Sequence, residues 1–373
     1  MTNRERFLAV MEYANTDRVP NYEVGVWGQT VDRWASEGLD VGDLHWDWFT
    51  GEEYFRMDMR EYIPVDYGMR PGFDQETLEE TDRYVIRRNS DGIVTKALKE
   101  GMVRGTRASM DEYISFPVVE PEDFREVKKR FVAADAGRYP AYWREMRLKG
   151  WRERSHVLVL GRNCSTLGFY WRARMWMGTQ NLSYAWYDHP SLMHEMMEFV
   201  ADFTIEVSRP LVEQIDVDYV FINEDMAMKS GPLLSPDTYR RFIFPHMRRL
   251  VDFLKAHNVA YVIVDTDGNP EDLVPALMEA GVDGIWPLER ASDVDPLVLR
   301  RRFGRDLRLW GGVDKRVLAQ DTRAIEEHLR TLSSLVEDGG FIPTIDHLVP
   351  PDVSLDNFRH YMDCKLLLLE GRL

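Results

Sequence analysis

The sequence predicts an α/β protein in which parallel strands, each followed by a helix, close into a (β/α)8 TIM barrel. Short apolar runs rich in β-branched residues alternate with longer segments of helical periodicity along most of the chain. Residues 261–264 show the pattern most clearly, because this apolar run stops at Asp265 and Asp267 and leads through Gly-Asn-Pro into a helical segment. About eight such units are present, a number that closes a barrel more readily than an open sheet.

Local signals predict each element in chain order. An amphipathic helix is expected over residues 2–13, and Pro20 marks the break after it. A later helix is expected to begin at Ser235-Pro236, which supplies an N-cap and a proline at the first helical position. The predicted strands cover residues 22–27, 62–65 (the weakest), 156–161, 218–222, 261–264, 284–287, 307–311 and 341–344.

Residues 46–119 depart from this alternation and are predicted to be an irregular, aromatic-rich insertion in a single barrel domain spanning 1–373. Within the insertion, residues 84–88 and 93–95 flank Asn89-Ser90-Asp91-Gly92, and Asp-Gly suits a tight reversal. We therefore expect an inserted β-hairpin that covers the site as a lid, with a purely structural brace as the alternative.

Composition and charge exclude several classes of protein. The formal net charge of −16 and the lack of a basic patch argue against nucleic acid and anionic membranes as partners. No apolar run approaches the roughly 20 residues of a membrane span, and no secretory signal is visible. The two cysteines, Cys164 and Cys364, are far apart, which fits a reduced cytoplasm. No strand leads into a glycine-rich nucleotide-binding motif.

Ionisable side chains recur where the later predicted strands end. In a parallel barrel these ends share one rim, where catalytic groups are normally mounted. Close carboxylates need a divalent metal, a basic partner or a retained proton, which would make one of them a general acid; the alternative is that several of them cap helices or brace loops. The set comprises Glu224, Asp225, Asp265, Asp267, Glu289, Asp314, Asp346 and His347.

Further residues are predicted to bind a substrate. Glu23 and Trp27 lie on the first predicted strand, and a charge on an ordinary strand flank is the alternative for Glu23. Arg162 and Cys164 follow the strand at 156–161, where a small packing residue is the alternative reading of the cysteine. Glu289 is the fifth member of this group.

Several motifs together resemble the uroporphyrinogen decarboxylase superfamily, which includes zinc-dependent, corrinoid-linked methyltransferases. The resemblance runs from about His156 to the end and implies a (β/α)8 barrel with its site at the carboxyl rim. The matching stretches are Asn223-Glu224-Asp225-Met226-Ala227, Gly231-Pro232, Ser235-Pro236, Phe244-Pro245, Asp267-Gly268-Asn269, Pro287-Leu288-Glu289, Gly311-Gly312-Val313-Asp314, Gly339-Gly340-Phe341-Ile342 and His347-Leu348-Val349-Pro350-Pro351, ending at Asn357.

The chain departs from both branches of that superfamily. The methyltransferases carry a His-x-Cys-Gly-Asn zinc motif where this chain has Asp265-Thr266-Asp267-Gly268-Asn269, and a further cysteine where it has Asp346-His347. The decarboxylases carry an arginine-rich first strand for a polyanionic substrate, whereas residues 22–28 here are acidic and aromatic. His347 does match the decarboxylase histidine.

The resemblance implies a methyltransferase or demethylase acting on a small methylated or methoxylated compound, with a corrinoid carried by a partner protein. In this hypothesis Glu224, His347 and Asp225 are catalytic. A decarboxylase of a small substrate, relying on Arg162 and His347, and a non-catalytic binding protein are the alternatives.

Exchanging thiolates for carboxylates predicts no bound metal or a loosely held one; the alternative is zinc held by carboxylates and imidazole. The candidate ligands are Asp265, Asp267, Glu289 and His347. Eleven tryptophans, and the frequent pairing of barrels in this family, predict a homodimer.

Overall fold

The computed structural model describes residues 1–42, 49, 51, 53–104, 106–107, 110–161 and 167–373. Its strands, in chain order, are β1 (Arg60–Tyr62), β2 (Glu76–Glu80), β3 (Tyr84–Arg88), β4 (Val94–Leu98), β5 (Met102–Val103), β6 (Thr106–Arg107), β7 (Glu112–Ser115), β8 (Val157–Leu160), β9 (Tyr219–Asn223), β10 (Ala227–Met228), β11 (Gly231–Pro232), β12 (Tyr261–Asp265), β13 (Gly284–Trp286), β14 (Arg308–Trp310) and β15 (Phe341–Ile342).

The α-helices, in the same order, are α1 (Asn3–Met11), α2 (Gly28–Ser36), α3 (Pro121–Lys128), α4 (Trp143–Met146), α5 (Leu148–Glu153), α6 (Phe169–Asp188), α7 (Pro190–Val212), α8 (Pro236–Phe242), α9 (Phe244–Ala256), α10 (Val274–Glu279), α11 (Pro296–Phe303), α12 (Lys315–Leu318), α13 (Thr322–Arg330), α14 (Ser333–Asp338) and α15 (Leu355–Leu369). Across the described part of the chain, no helix is both long and apolar enough to cross a membrane.

Seven parallel strands form the central sheet, in the order β1, β8, β9, β12, β13, β14, β15. From β8 onward, neighbours in the sheet are also successive strands of the repeat, joined by crossovers that contain helices. Strands β8, β9, β12 and β13 are buried along their whole length, as expected for parallel strands covered on both faces. The curled parallel sheet and the strand–helix alternation agree with the predicted fold class.

The predicted first strand, residues 22–27, is buried extended chain rather than a strand of the sheet. Its single strand-like contact is a bridge between Val26 and Val349. Other groups take the carbonyls that a ladder would use: the Lys365 ammonium donates to the Tyr22 oxygen, and the Arg60 guanidinium donates to the Glu23 oxygen. Among the described residues, the central sheet therefore contains seven strands where the sequence predicts eight.

Helix α1 covers the amino-terminal end of the central sheet. Thr2 forms a capping box with Glu5, which explains why the helix begins where the sequence predicts. The Phe7 ring packs 5.4 Å from that of Tyr219 and 6.0 Å from that of Tyr261, the first residues of β9 and β12. Because this end is filled by α1, the carboxyl end of the strands is where a site can open.

The insertion between β1 and β8 is more regular than the sequence predicts. The expected hairpin is present as β3 and β4, and β2 and β7 extend it to a four-stranded antiparallel sheet. The Asn89 side chain accepts hydrogen bonds from the amides of Asp91 and Ile93 and fixes the reversal. Farther along, Arg104 pairs with Asp32 of α2. Whether this sheet closes over the site as a lid stays a prediction.

Side chains of helix α15 reach inward and bind the extended segment. The Lys365 ammonium and the Tyr361 hydroxyl both donate to the Glu23 carboxylate, and the side chains of Lys365 and Glu23 are fully buried. The Ile345 amide donates to the other Glu23 oxygen at 2.9 Å. The first extended segment, the end of β15 and the last helix are thus joined by one buried carboxylate.

Candidate functional site

Three side chains from different strand ends converge at the carboxyl rim. Asp267 follows β12, Glu289 follows β13 and His347 follows β15. One ligand-type atom from each lies within 4.8 Å of the others, and the Asp267 Oδ2 atom is 3.8 Å from His347 Nε2. We call Asp267, Glu289 and His347 the rim cluster. The structure brings together three of the four residues named from sequence as metal candidates.

Backbone hydrogen bonds hold the rim cluster in place. The Gly268 amide donates to Glu289 Oε2 at 2.9 Å, so the turn after β12 fixes the carboxylate after β13. Gly268 has a φ of +77°, and a Cβ atom there would lie 2.7 Å from the backbone of Ala227. Only glycine combines that conformation with so close an approach.

Asp346 supports the rim cluster from below without facing it. Its fully buried carboxylate accepts hydrogen bonds from the Arg290 amide at 2.9 Å and the Lys315 amide at 3.1 Å. Burial raises the pKa of Asp346 to about 6. Asp346 thereby connects the loops after β13 and β14, which carry Glu289 and Lys315. It braces loops, which is the alternative to catalysis given above for some of the rim carboxylates.

Trp27 forms one wall of the site. Its ring stacks on that of His347, with centroids 6.4 Å apart and planes inclined by 22°. The Trp27 amide also donates to the Val349 carbonyl, which fixes the tryptophan relative to the histidine. The predicted substrate-binding tryptophan is therefore adjacent to the rim cluster.

The rim cluster carries more negative charge than its neighbours neutralise. Burial, and then the charges of Glu289 and Asp225, raise the pKa of Asp267 to about 7. Lys315 provides partial compensation, with its Nζ atom 3.4 Å from Glu289 Oε1. Burial and the Lys315 charge lower the pKa of His347, so its imidazole is neutral near pH 7. The cluster therefore offers carboxylate oxygens and an unprotonated ring nitrogen to a cation or a proton.

Asp265 is buried beside the rim cluster with one oxygen unused. Its Oδ2 atom has no hydrogen-bond partner among the residues that the structure describes. Burial, together with the charges of Asp267, Asp225 and Glu289, raises the pKa of Asp265 well above its usual value. The folded environment of Asp265 therefore favours its protonated form, which suits this side chain to holding a proton rather than ligating a cation.

The rim cluster fits a divalent cation. Two carboxylates and a neutral imidazole are donors that zinc, manganese and iron accept. A cation at this point would also relieve the repulsion that raises the pKa of Asp267. Lys315, 3.4 Å from Glu289, already supplies part of that positive charge, which would weaken the hold on a metal.

Asp225 and Glu224 follow β9 but point to different partners. Asp225 pairs with Arg174 of α6. Glu224 is fully buried and accepts hydrogen bonds from the amides of Phe169 at 3.0 Å and Tyr170 at 2.7 Å, in the first turn of α6. Burial outweighs these hydrogen bonds and raises the pKa of Glu224 to about 7. Glu224 thus caps a helix and is separated from solvent, and its acid–base role stays a prediction.

The remaining predicted substrate-binding residues do not join the cluster in the described structure. Glu23 lies inside the barrel, with its oxygens engaged by Lys365, Tyr361 and the Ile345 amide. Arg162 and Cys164 lie outside the residues that the structure describes.

One rim residue, Arg174, has no signal in the sequence. It lies inside α6, five residues after the first residue of the helix, and reaches Asp225 only because α6 starts against the end of β9. A charged residue on a helix is usually a solvated one, so local pattern could not single it out.

Comparison with known proteins agrees with this architecture. The chain is 28% identical over 171 residues to the uroporphyrinogen decarboxylase of Hydrogenovibrio crunogenus, a match that covers 45% of this chain and 46% of that protein. A similar match to the uroporphyrinogen decarboxylase of Nocardia farcinica is 28% identical over 172 residues and covers 44% and 46%. The matched region thus spans slightly less than half of each relative.

A solved methyltransferase from Methanosarcina mazei has a similar fold along the whole chain. It superposes with a TM-score of 0.59 and 13% sequence identity, covering 98% of both chains. The family model for uroporphyrinogen decarboxylase (URO-D) matches residues 171–365, which contain the whole rim cluster. Because that match covers more than half of its 373 residues, the chain belongs to the uroporphyrinogen decarboxylase (URO-D) family.

Proposed function

We propose that this chain is an enzyme that removes the methyl group of a small methylated or methoxylated compound and passes it to a corrinoid carried by a partner protein. The observation that carries the proposal is the convergence of Asp267, Glu289 and His347 beneath Trp27 at the carboxyl rim. The Methanosarcina mazei neighbour, a methyltransferase, supports this choice within the family.

The charge of the rim argues against a polyanionic porphyrinogen as substrate. Asp225, Asp267 and Glu289 lie together, and in the described part of the chain the cations that pair with them are Arg174 and Lys315. A substrate with several carboxylates would meet repulsion there, whereas a neutral or cationic methylated compound would not. Trp27 offers a flat apolar surface for an aromatic or alkyl group.

The proposed reaction needs a proton at the atom that loses the methyl group. The methyl carbon passes without its bonding electrons to the reduced corrinoid, and the electron pair of the broken bond stays on the substrate oxygen or nitrogen. That atom then takes a proton, which Asp265 and Asp267 are suited to supply because burial and neighbouring carboxylates raise both pKa values, that of Asp267 to about 7. His347, neutral and stacked on Trp27, would act as the acid–base group that exchanges this proton with solvent.

The other predicted residues have supporting roles in this proposal. Asp225, held by Arg174, would form an anionic wall that favours an uncharged or cationic substrate. Glu224 would act by positioning α6, since its carboxylate binds that helix. If Asp267, Glu289 and His347 held a divalent cation instead, it would supply Lewis-acid polarisation of the substrate heteroatom in place of the proton roles of Asp267 and His347, and Asp265 would remain as the proton donor.

The test is methyl transfer to cob(I)alamin by the purified protein. A panel of methoxylated aromatics, methylated amines, methylated thiols and methanol is offered, and formation of methylcobalamin is followed by absorbance. Asp267→Asn and His347→Ala should each lower the rate at least about 100-fold, the lower range for losing a positioned acid–base group. Asp272→Asn, an exposed carboxylate in the following loop, is the matched control and should keep the rate.

A decarboxylase of a small monocarboxylate is the second candidate. Lys315 and Arg174 could hold one carboxylate. When carbon dioxide leaves, the electron pair of the broken C–C bond stays on the substrate carbon, which Asp265 could then protonate. The same panel is extended with small carboxylic acids and assayed for carbon dioxide. Release of carbon dioxide without methylcobalamin would replace the methyl-transfer proposal, and tight ligand binding without turnover would identify a binding protein.

A further inference from the structure

A second cluster of ligand-type side chains lies on the outer helices, away from the strand ends. His360 and Cys364 are four residues apart on α15, and Glu326 lies on the adjacent helix α13. One ligand-type atom from each of the three lies within 4.8 Å of the others. We call Glu326, His360 and Cys364 the outer cluster.

No motif in the sequence predicts this cluster, in which Cys364 is one of only two cysteines, 200 residues apart. The spacing explains how the cluster forms: residues four apart on an α-helix share a face, so the ring of His360 and the sulfur of Cys364 point the same way. The opposite-facing pair on the same helix, Tyr361 and Lys365, binds Glu23 in the interior.

The contacts converge on one nitrogen. His360 Nε2 is 3.4 Å from Cys364 Sγ and 3.2 Å from Glu326 Oε1. A catalytic cysteine–histidine–carboxylate arrangement would use both ring nitrogens, one facing the thiol and the other facing the carboxylate. Here the sulfur, the nitrogen and the oxygen face one another instead, which is the arrangement of a chelate.

Two of the three ligand-atom separations are close to those around a tetrahedral zinc ion. Bonds of about 2.0–2.1 Å to nitrogen and oxygen and about 2.3 Å to sulfur place neighbouring ligand atoms roughly 3.3–3.8 Å apart. The two separations of 3.2 Å and 3.4 Å are already close to that range. Cys364 is 7% exposed, whereas the His360 side chain is 30% exposed, so the site is partly shielded but reachable from solvent.

We propose that Glu326, His360 and Cys364 bind a zinc ion that joins α13 to α15, with water in the fourth position. Thiolate, imidazole and carboxylate are all established zinc ligands, and the thiolate favours zinc over magnesium or calcium. Burial, and then the charges of Glu326 and Asp363, raise the pKa of the Cys364 thiol, whereas Arg330 lowers it. A bound zinc ion would favour the thiolate. A metal in the outer cluster holds together two helices on the outside of the barrel.

Cobalt substitution tests the proposal directly. The full-length protein is stripped with a chelator and titrated with Co²⁺, and the sulfur-to-cobalt charge-transfer band is followed in the near ultraviolet. Because the chain has only two cysteines, the band arises from Cys364 or from Cys164. We expect a band that Zn²⁺ displaces, that Cys364→Ser abolishes and that Cys164→Ser leaves unchanged.

Variants of the other two ligands keep the test decisive if Cys364→Ser folds poorly. Replacing a residue that only hydrogen-bonds to a metal ligand typically weakens metal binding about 10- to 100-fold. His360→Ala and Glu326→Gln remove the ligands themselves, so each should weaken Co²⁺ binding at least about tenfold. Asp267→Asn, in the rim cluster, should leave the band and its affinity unchanged. Zinc should raise the unfolding temperature of the wild type by more than that of Cys364→Ser, in which only the rim cluster could still bind it.

Three outcomes would overturn the proposal. They are the absence of a charge-transfer band in the wild type, a band that Cys164→Ser removes, and Co²⁺ affinity that is unaffected by His360→Ala and Glu326→Gln. None of these outcomes depends on whether the protein transfers methyl groups, since the readout is metal binding at the outer helices.

Discussion

At the scale of single residues, metal binding at the rim depends on carboxylate and imidazole side chains, which select zinc less strongly than thiolates do. Asp267 and His347 provide an oxygen and an imidazole nitrogen, and Lys315 competes for Glu289. We therefore expect protein purified without added metal to hold a divalent ion at the rim weakly or not at all, and a chelator to remove it readily. Metal analysis should be made in the Cys364→Ser background, so that the outer cluster does not contribute.

Asp267→Ala and His347→Ala locate any ion that is found. Both variants should lose it, whereas Asp272→Asn should retain it. Stoichiometric zinc that survives the chelator in the Cys364→Ser background would contradict the expectation of a weak site.

The raised pKa of Glu224 predicts how the free energy of unfolding depends on pH. Its pKa is raised from 4.5 to about 7 in the folded protein, so the folded state favours the protonated form. The contribution of this group to the free energy of unfolding is therefore largest below about pH 4.5 and is lost as the pH rises through 7, by up to about 3 kcal/mol. Urea denaturation at pH 5 and pH 8 measures the loss.

Glu224→Gln removes the titrating group and should flatten this dependence. Glu206→Gln, an exposed position on α7, should leave it as in the wild type. An identical change in unfolding free energy between pH 5 and pH 8 for Glu224→Gln and the wild type would show that Glu224 titrates normally.

At the scale of elements, Gly178 sets how closely α6 approaches the inserted sheet. It interrupts α6 with a φ of +74°, and a Cβ atom there would lie 2.3 Å from the Phe116 ring. Gly178→Ala should lower the free energy of unfolding by at least about 1 kcal/mol, because it combines an unfavourable backbone conformation with a clash.

Gly150→Ala is the matched control for this change. Gly150 lies in α5, and a Cβ atom there would meet nothing within 4 Å. Alanine should be neutral or stabilising at that helical position by up to about 1 kcal/mol. If the two variants have equal urea midpoints, the contact between α6 and the insertion does not limit stability.

The elements that could be predicted from sequence are those whose signals are local. β12 is an apolar run that ends at a carboxylate, and β3 and β4 flank an Asp-Gly reversal, so period and turn chemistry were sufficient. Residues 22–27 have the same apolar character but do not pair as a strand, because the side chains of Arg60 and Lys365 donate hydrogen bonds to the backbone carbonyls of Glu23 and Tyr22. That competition comes from residues 37 and 343 positions away, which no local pattern contains.

The candidate site was predictable to a similar extent. The alternation of strands and helices places Asp267, Glu289 and His347 at one rim, and the structure brings them together. The orientation of Glu224 could not be predicted from the sequence, because it depends on α6 beginning next to the end of β9. A carboxylate after a strand is equally consistent with catalysis and with capping until its partners are known.

At the scale of the whole molecule, exposed aromatic residues predict self-association. Tyr142, Tyr184 and Tyr187 are 74%, 61% and 71% exposed, and large apolar groups are enriched where proteins pair. We expect a homodimer with twice the 43.7 kDa mass of the chain, measured by size-exclusion chromatography with light scattering. A mass of one chain across the concentration range would contradict it.

The pair formed by Glu23 and Lys365 connects distant parts of the chain, and breaking it has a predictable cost. Lys365→Met leaves the Glu23 carboxylate buried without its cation, which should lower the free energy of unfolding by about 3–5 kcal/mol. The double variant Glu23→Gln with Lys365→Met removes both charges and should recover most of that loss. Equal unfolding free energies for the single and double variants in urea would show that the pair is not coupled.

That pair also imposes an order on folding during synthesis. Lys365 is made 342 residues after Glu23, which is roughly 20–70 s later at ordinary rates of translation. Until α15 leaves the ribosome, placing the Glu23 carboxylate in the interior would bury an unpaired charge, so the segment that carries it remains hydrated. The nascent chain can assemble its middle strands early, but the insertion of residues 22–26 has to wait for the last helix.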